Sequence, residues 1–124
     1  MELRYARIYA DAEGESHFED LAMPLVPADL APPMQPVPLS APIAAARLVH
    51  FHGPQELDGG AWHTAPTRQF MYVLTGSVEI TVSDGEMRTF GPGSMLLAED
   101  VVGKGHSGRR PEPDGVTAAL VQLE

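Results

Sequence analysis

Apolar and polar residues alternate with a period of two along much of the second half of the chain. In "SVEITVS", Val78, Ile80 and Val82 alternate with Ser77, Glu79, Thr81 and Ser83, the pattern of a half-buried strand. "RQFMYVLTG" reads as a second strand, with Gln69, Met71 and Val73 on one face and Phe70, Tyr72 and Leu74 on the other. Asp84-Gly85 joins "SVEITVS" to "EMRTF" as a two-residue hairpin turn, because Asp-Gly tolerates positive φ. Gly91-Pro92-Gly93 turns the chain again before "SMLLAE", and "GVTAALVQLE" forms a last strand. Upstream, "AAARLVHFHG" is β-compatible and stops at Gly53-Pro54, "LRYARIYA" reads as an edge strand, and the acidic "DAEGESHFED" reads as a loop. No helical periodicity competes. Short strands with turns at this spacing predict an all-β sandwich or barrel.

One segment breaks the pattern. Residues 23–42, "MPLVPADLAPPMQPVPLSAP", hold seven prolines, which remove donors from any ladder. The residues between them are mostly apolar, and Asp29 is the only charge. Disordered linkers are poor in such residues, so the segment is expected to be an extended, ordered strap packed across the domain.

Composition narrows the function classes. The chain has 124 residues, room for one domain with a real core. Eight basic against 17 acidic residues give a formal charge of −9, which argues against a nucleic-acid partner because phosphates would be repelled. No apolar run approaches the roughly 20 residues that span a bilayer, and the first residues carry charges where a signal peptide would be apolar. No membrane partner is expected, and the expected compartment is the cytoplasm. The absence of Cys removes disulfides, thiolate catalysis and Cys-ligated metals.

Two blocks of sequence resemble the cupins, a family of small jelly-roll β-barrels. The first is Gly59 or Gly60, then His63, Ala65, Gln69 and Gly76, with "YVLTG" ending the strand. The second is Gly91-Pro92-Gly93, the apolar Met95-Leu96-Leu97 and then His106. "PGSMLLAEDVVGKGH" in particular is similar to small bacterial single-domain cupins. The resemblance implies an all-β, single-domain jelly-roll barrel over residues 43–124, with residues 1–42 as an N-terminal strand and Pro-rich strap laid on it. It also implies a homodimer, and the apolar character of the Pro-rich strap at residues 23–42 makes it a candidate part of that interface.

Metal-bearing cupins use two His and a Glu from the first block and a His from the second. Carried over, these positions are His63, Ala65, Gln69 and His106, so the metal site is degenerate. Ala65 offers no ligand, and Gln69 offers a neutral amide in place of a carboxylate. The cofactor expectation is therefore none, or a weakly bound divalent metal on His63, His106 and Gln69. The alternation places Gln69 and Met71 on one face, and both are assigned to substrate binding.

His50 and His52 are two apart on a strand and share a face. Either that face or the one with Val49 and Phe51 is inward, and both His are carried as substrate contacts. Glu99 and Asp100 end a strand where a charge entering the cavity would raise a neighbouring His pKa. Glu99 is assigned to the substrate site. Lys104 is a candidate anion contact at the mouth, and His17 a candidate cap.

Three functions remain open. The first is a small-molecule enzyme of isomerase, lyase or cyclase type, with His63 and His106 as metal-free acid and base. The second is a metal-dependent cupin, such as a dioxygenase or isomerase. The third is a non-catalytic module that binds a small metabolite.

Overall fold

A computed structural model describes residues 1–57 and 60–124. Gly59, one of two candidates for the first motif glycine, lies outside the described residues. The described residues form eleven strands and no α-helix: β1 (Glu2–Ala10), β2 (Ser16–Pro24), β3 (Val26–Ala28), β4 (Val37–Leu39), β5 (Ala45–Gly53), β6 (Gln69–Thr75), β7 (Val78–Val82), β8 (Met87–Phe90), β9 (Met95–Ala98), β10 (His106–Arg109) and β11 (Val116–Leu123). Among the described residues no helix is long and apolar enough to cross a membrane.

Six strands form one sheet in the order β2-β1-β9-β6-β11-β5, and three form a second, β10-β7-β8. Within these sheets β1 and β9 run parallel, and the other neighbours among the described strands are antiparallel. The main core lies between the sheets. Ile8, Phe18, Val73 and Leu96 from the large sheet meet Val78, Ile80, Val82 and Phe90 from the small one. Burying each such side chain contributes about 1.5–3 kcal/mol. A second cluster, Phe70, Leu97 and Leu123 with Tyr5, Tyr72 and Met95 against it, covers the reverse face of the large sheet. The alternation along β6 decides this split: Met71 and Val73 face the main core, and Phe70 and Tyr72 face the reverse cluster.

The all-β expectation holds, and the two-sheet arrangement is compatible with a jelly roll. Three details differ. No closed barrel forms, because β2 and β5 remain as edges of the large sheet. "DAEGESHFED" contributes a strand as well as a turn: β2 starts at Ser16, pairs with β1 along its whole length and places β1 inside the sheet. Nothing in the fold shows the Pro-rich segment as a strap across the domain. It folds back on itself as the short hairpin β3–β4, with Val26 opposite Leu39 and Ala28 opposite Val37. Val26 is 63% and Leu30 62% exposed. Pro38 faces Pro27 in this hairpin, and with so few donors the pair stops at three residues a side.

The β7–β8 turn is one residue longer than predicted. The Val82 amide donates to the Glu86 carbonyl and the Gly85 amide to the Val82 carbonyl, both at 3.0 Å, around Ser83-Asp84-Gly85, a three-residue loop that needs positive φ only at its last residue. Gly85 supplies this at φ 101°.

Candidate functional site

The segment 60–68 between β5 and β6 carries His63, and three contacts stitch it to β10 and the strand end before it. Ser107 Oγ donates to the Gly60 carbonyl at 2.5 Å. The main chains of His63 and His106 exchange both hydrogen bonds, and the Ala65 amide donates to the Asp100 carbonyl at 3.1 Å. Gly105 permits the close passage. Its φ is +76°, and a Cβ there would stand 2.3 Å from the His63 carbonyl oxygen.

The stitching places His63 and His106 at one cavity of about 270 Å³, with Gln69 and Met71 from β6 on its wall. Phe51, Val78, Ile80 and Leu120 supply much of the apolar lining, and Arg110 closes another side. Four of the residues expected in the site are thus brought together: His63, Gln69, Met71 and His106. A larger depression of about 420 Å³ between β1, β2 and β8 holds no imidazole. Its Arg88 is paired with Asp20 and Glu86.

Three other expected residues stand elsewhere. Phe51 is the inward residue of β5, so its neighbours His50 and His52 point away from the cavity. His52 bonds instead to the Asp114 carbonyl. Glu99 bridges Arg7 and Arg68, at 2.5 Å to each. Burial pushes its carboxyl up, but the hydrogen bonds and charges of Arg68 and Arg7 outweigh this and hold it below its ordinary value. Along β9, Leu96 faces the main core and Leu97 the reverse cluster. By the same parity Asp100 turns inward and Glu99 outward.

Asp100 is the residue that the sequence left unassigned. It is fully buried, and its Oδ2 lies 2.6 Å from His106 Nδ1. Its Oδ1 has no hydrogen-bond partner among the described residues. A carboxylate accepts only, so Nδ1 carries the proton and the Nε2 lone pair is left for the cavity. His63 is arranged alike: its Nδ1 lies 3.1 Å from the Ala61 carbonyl, again an acceptor. The two rings meet edge-to-face, with centroids 4.7 Å apart and planes at 63°. Gln69 Oε1 accepts from Gln122 Nε2 at 3.1 Å, so its own NH₂ group is the donor that remains for a ligand.

These donors do not fit a tightly held divalent cation. Each imidazole has committed Nδ1 to a protein acceptor, which leaves two nitrogens. Ala65 is buried and offers no ligand, and the Gln69 oxygen already serves Gln122. No carboxylate among the described lining residues balances a metal charge. Among the described residues no group of three or more His, Asp or Glu side chains is arranged to hold a metal ion.

Two further candidates are engaged elsewhere. Lys104 pairs with Glu15 at 2.6 Å. His17 bridges Asp11 and Asp84, at 2.7 and 2.8 Å. No protein-family model matches the chain, and no curated protein matches it.

Proposed function

We propose that this chain is a small cupin-like domain whose cavity carries out proton transfer on a small molecule, as an isomerase, lyase or cyclase does. His106 is the base. The observation that supports this most is the 2.6 Å contact between His106 Nδ1 and the buried carboxylate of Asp100. A buried carboxylate behind an imidazole holds one tautomer, aims the other nitrogen, and stabilises the imidazolium formed when that nitrogen takes a proton. An imidazole can serve as base and then as acid in this way without a metal.

The other groups have complementary roles. His63 Nε2 stands as the second proton carrier beside His106. The Gln69 NH₂ donates to the oxygen on which charge develops when a proton leaves the adjacent carbon. The apolar walls keep water from competing for the base. No step needs a resident metal, in keeping with the donors present.

The reading is tested by deuterium entry at carbon. EDTA-treated protein is incubated in D₂O with levulinate and related small ketones, and loss of the α-proton signals is followed by ¹H NMR. The wild type is expected to exceed free imidazole, and His106→Asn to lose about 10²-fold or more of that rate. Equal rates in the wild type and His106→Asn, or no rate above free imidazole, contradict it.

A further inference from the structure

We infer that the molecule taken by this cavity is a small α-hydroxy ketone or aldehyde, held by its hydroxyl at His63 Nε2 and by its carbonyl at the Gln69 amide. This rests on reading the cavity as a proton-transfer site and adds the substrate class.

Both imidazoles turn the same kind of nitrogen to the cavity. His106 Nδ1 lies 2.6 Å from the Asp100 carboxylate, and His63 Nδ1 lies 3.1 Å from the Ala61 carbonyl. Both partners accept, so each neutral ring carries its proton on Nδ1 and offers a bare Nε2 lone pair. The pair therefore holds two bases and no acid. Gln69 is the reverse. Gln122 Nε2 occupies its oxygen at 3.1 Å, and its NH₂ is left as a donor. Gln122 is buried, on the same side of β11 as the lining residue Leu120, so its hold on Gln69 is shielded from water. Arg110 donates to the Pro54 and Leu57 carbonyls, and no ligand contact is assigned to it.

The ligand has to match two acceptors and one donor. Its carbonyl oxygen accepts from Gln69, which acidifies the adjacent C–H for His106. His63 then needs a donor on the ligand, and a hydroxyl supplies one. The rings are in edge-to-face contact, with centroids 4.7 Å apart, so they serve neighbouring atoms of one molecule. The hydroxyl thus sits on the carbon that loses its proton. At about 270 Å³ the space falls just below the usual range for drug-sized ligands. The walls of Phe51, Met71, Val78, Ile80 and Leu120 would leave the further hydroxyls of a polyol unpaired. The rest of the molecule is therefore hydrocarbon.

The proton balance closes without a co-reactant. His106 Nε2 takes the proton from the hydroxyl-bearing carbon. That C–H pair becomes a C=C bond, and the carbonyl pair moves onto the oxygen held by Gln69. The hydroxyl proton passes to His63 as its O–H pair forms the new carbonyl. The C=C pair then takes the proton back from His106 at the neighbouring carbon, and His63 returns its proton to the first oxygen. The product is the isomeric α-hydroxy carbonyl compound, with both rings restored.

Ligand capture is read by ¹⁵N NMR of imidazole-labelled, EDTA-treated His106→Asn protein, in which no turnover competes. Hydroxyacetone is expected to move the His63 Nε2 signal upfield. Methoxyacetone, which lacks the hydroxyl proton, should leave it in place. In protein that keeps His106, lactaldehyde is expected to become hydroxyacetone faster than with free imidazole. His63→Phe should lose at least about tenfold more of that rate than of deuterium entry into levulinate, a split that loosened packing alone would not give. No shift with hydroxyacetone, an equal shift with methoxyacetone, or equal losses of the two rates in folded His63→Phe would each overturn the inference. Absence of deuterium entry into levulinate would instead overturn the proton-transfer reading, and the shift in His106→Asn then decides the ligand class by itself.

Discussion

The amide of His63 donates to the His106 carbonyl and the amide of His106 to the His63 carbonyl, at 2.9 Å in each direction. This single antiparallel bridge lies outside any longer ladder involving His63. It joins the 60–68 segment to the first residue of β10 and holds the two imidazoles edge-to-face at the cavity. The site therefore depends on a short stretch of main chain as much as on side chains.

Gly105→Ala tests that dependence. A Cβ at this position meets the His63 carbonyl oxygen at 2.3 Å and its carbon at 2.5 Å, in a backbone with φ +76°. Strain and clash together should cost more than about 2 kcal/mol and separate the rings. Gly85→Ala is the control, since its φ is also positive but no atom lies within 4 Å. It should cost about 1–2 kcal/mol for the backbone alone. Denaturant unfolding of both variants measures the difference, and equal costs would refute a clash at the bridge.

Asp100 and Glu99 are adjacent in sequence and should separate cleanly in function. Asp100→Asn leaves the volume unchanged but takes the carboxylate from behind His106, and deuterium entry should fall by about 10²-fold or more. Glu99→Gln should leave that rate unchanged and cost no more than about 1 kcal/mol, because its arginine partners are partly exposed. Its carboxyl is held below the ordinary value, so its stabilisation is present above about pH 4.3 and fades as pH falls through the lowered value. A reversed order of activity loss would move the dyad to the wrong acid.

His17 predicts a pH dependence remote from the site. Its hydrogen bonds to Asp11 and then to Asp84 raise its pKa. The raised value means that its stabilisation is full below about pH 6.5 and is lost as pH rises through the folded-state value. Asp11 is lowered chiefly by His17, and Asp84 chiefly by the Glu86 amide and then His17. Their stabilisation is full above about pH 3.9 and lost in acid. The bridge between the β1–β2 and β7–β8 turns is thus strongest between about pH 4 and 6.5. Melting temperature should fall from about pH 6 to 9 in the wild type, and the fall should flatten in His17→Gln. Parallel curves for the two proteins would count against the bridge.

The strand pattern was legible wherever one face is buried and the other is not, as in "SVEITVS" and β6. From these the inward side of Gln69 and Met71 followed. It was not legible at β5, where His50 and His52 alternate with Val49 and Phe51 and both faces are plausible core. Nor was it read at β9 and β10, although parity alone separates Asp100 from Glu99 and aligns His106, Gly108 and Arg110. The hairpin in the Pro-rich segment was not legible for a physical reason. Its apolar residues suggested packing, but prolines on both arms let it close only a small hairpin, which leaves Val26 and Leu30 in solvent.

The most direct test of the site is the protonation state of His106, read by ¹H–¹⁵N NMR of imidazole-labelled, metal-free protein with and without one equivalent of Zn²⁺. An Nδ1-protonated ring with its proton shifted downfield by Asp100, a bare Nε2, and a spectrum unchanged by zinc are expected. An Nε2-protonated ring, or an Nε2 signal that moves to a metal-bound position at one equivalent, would contradict that expectation.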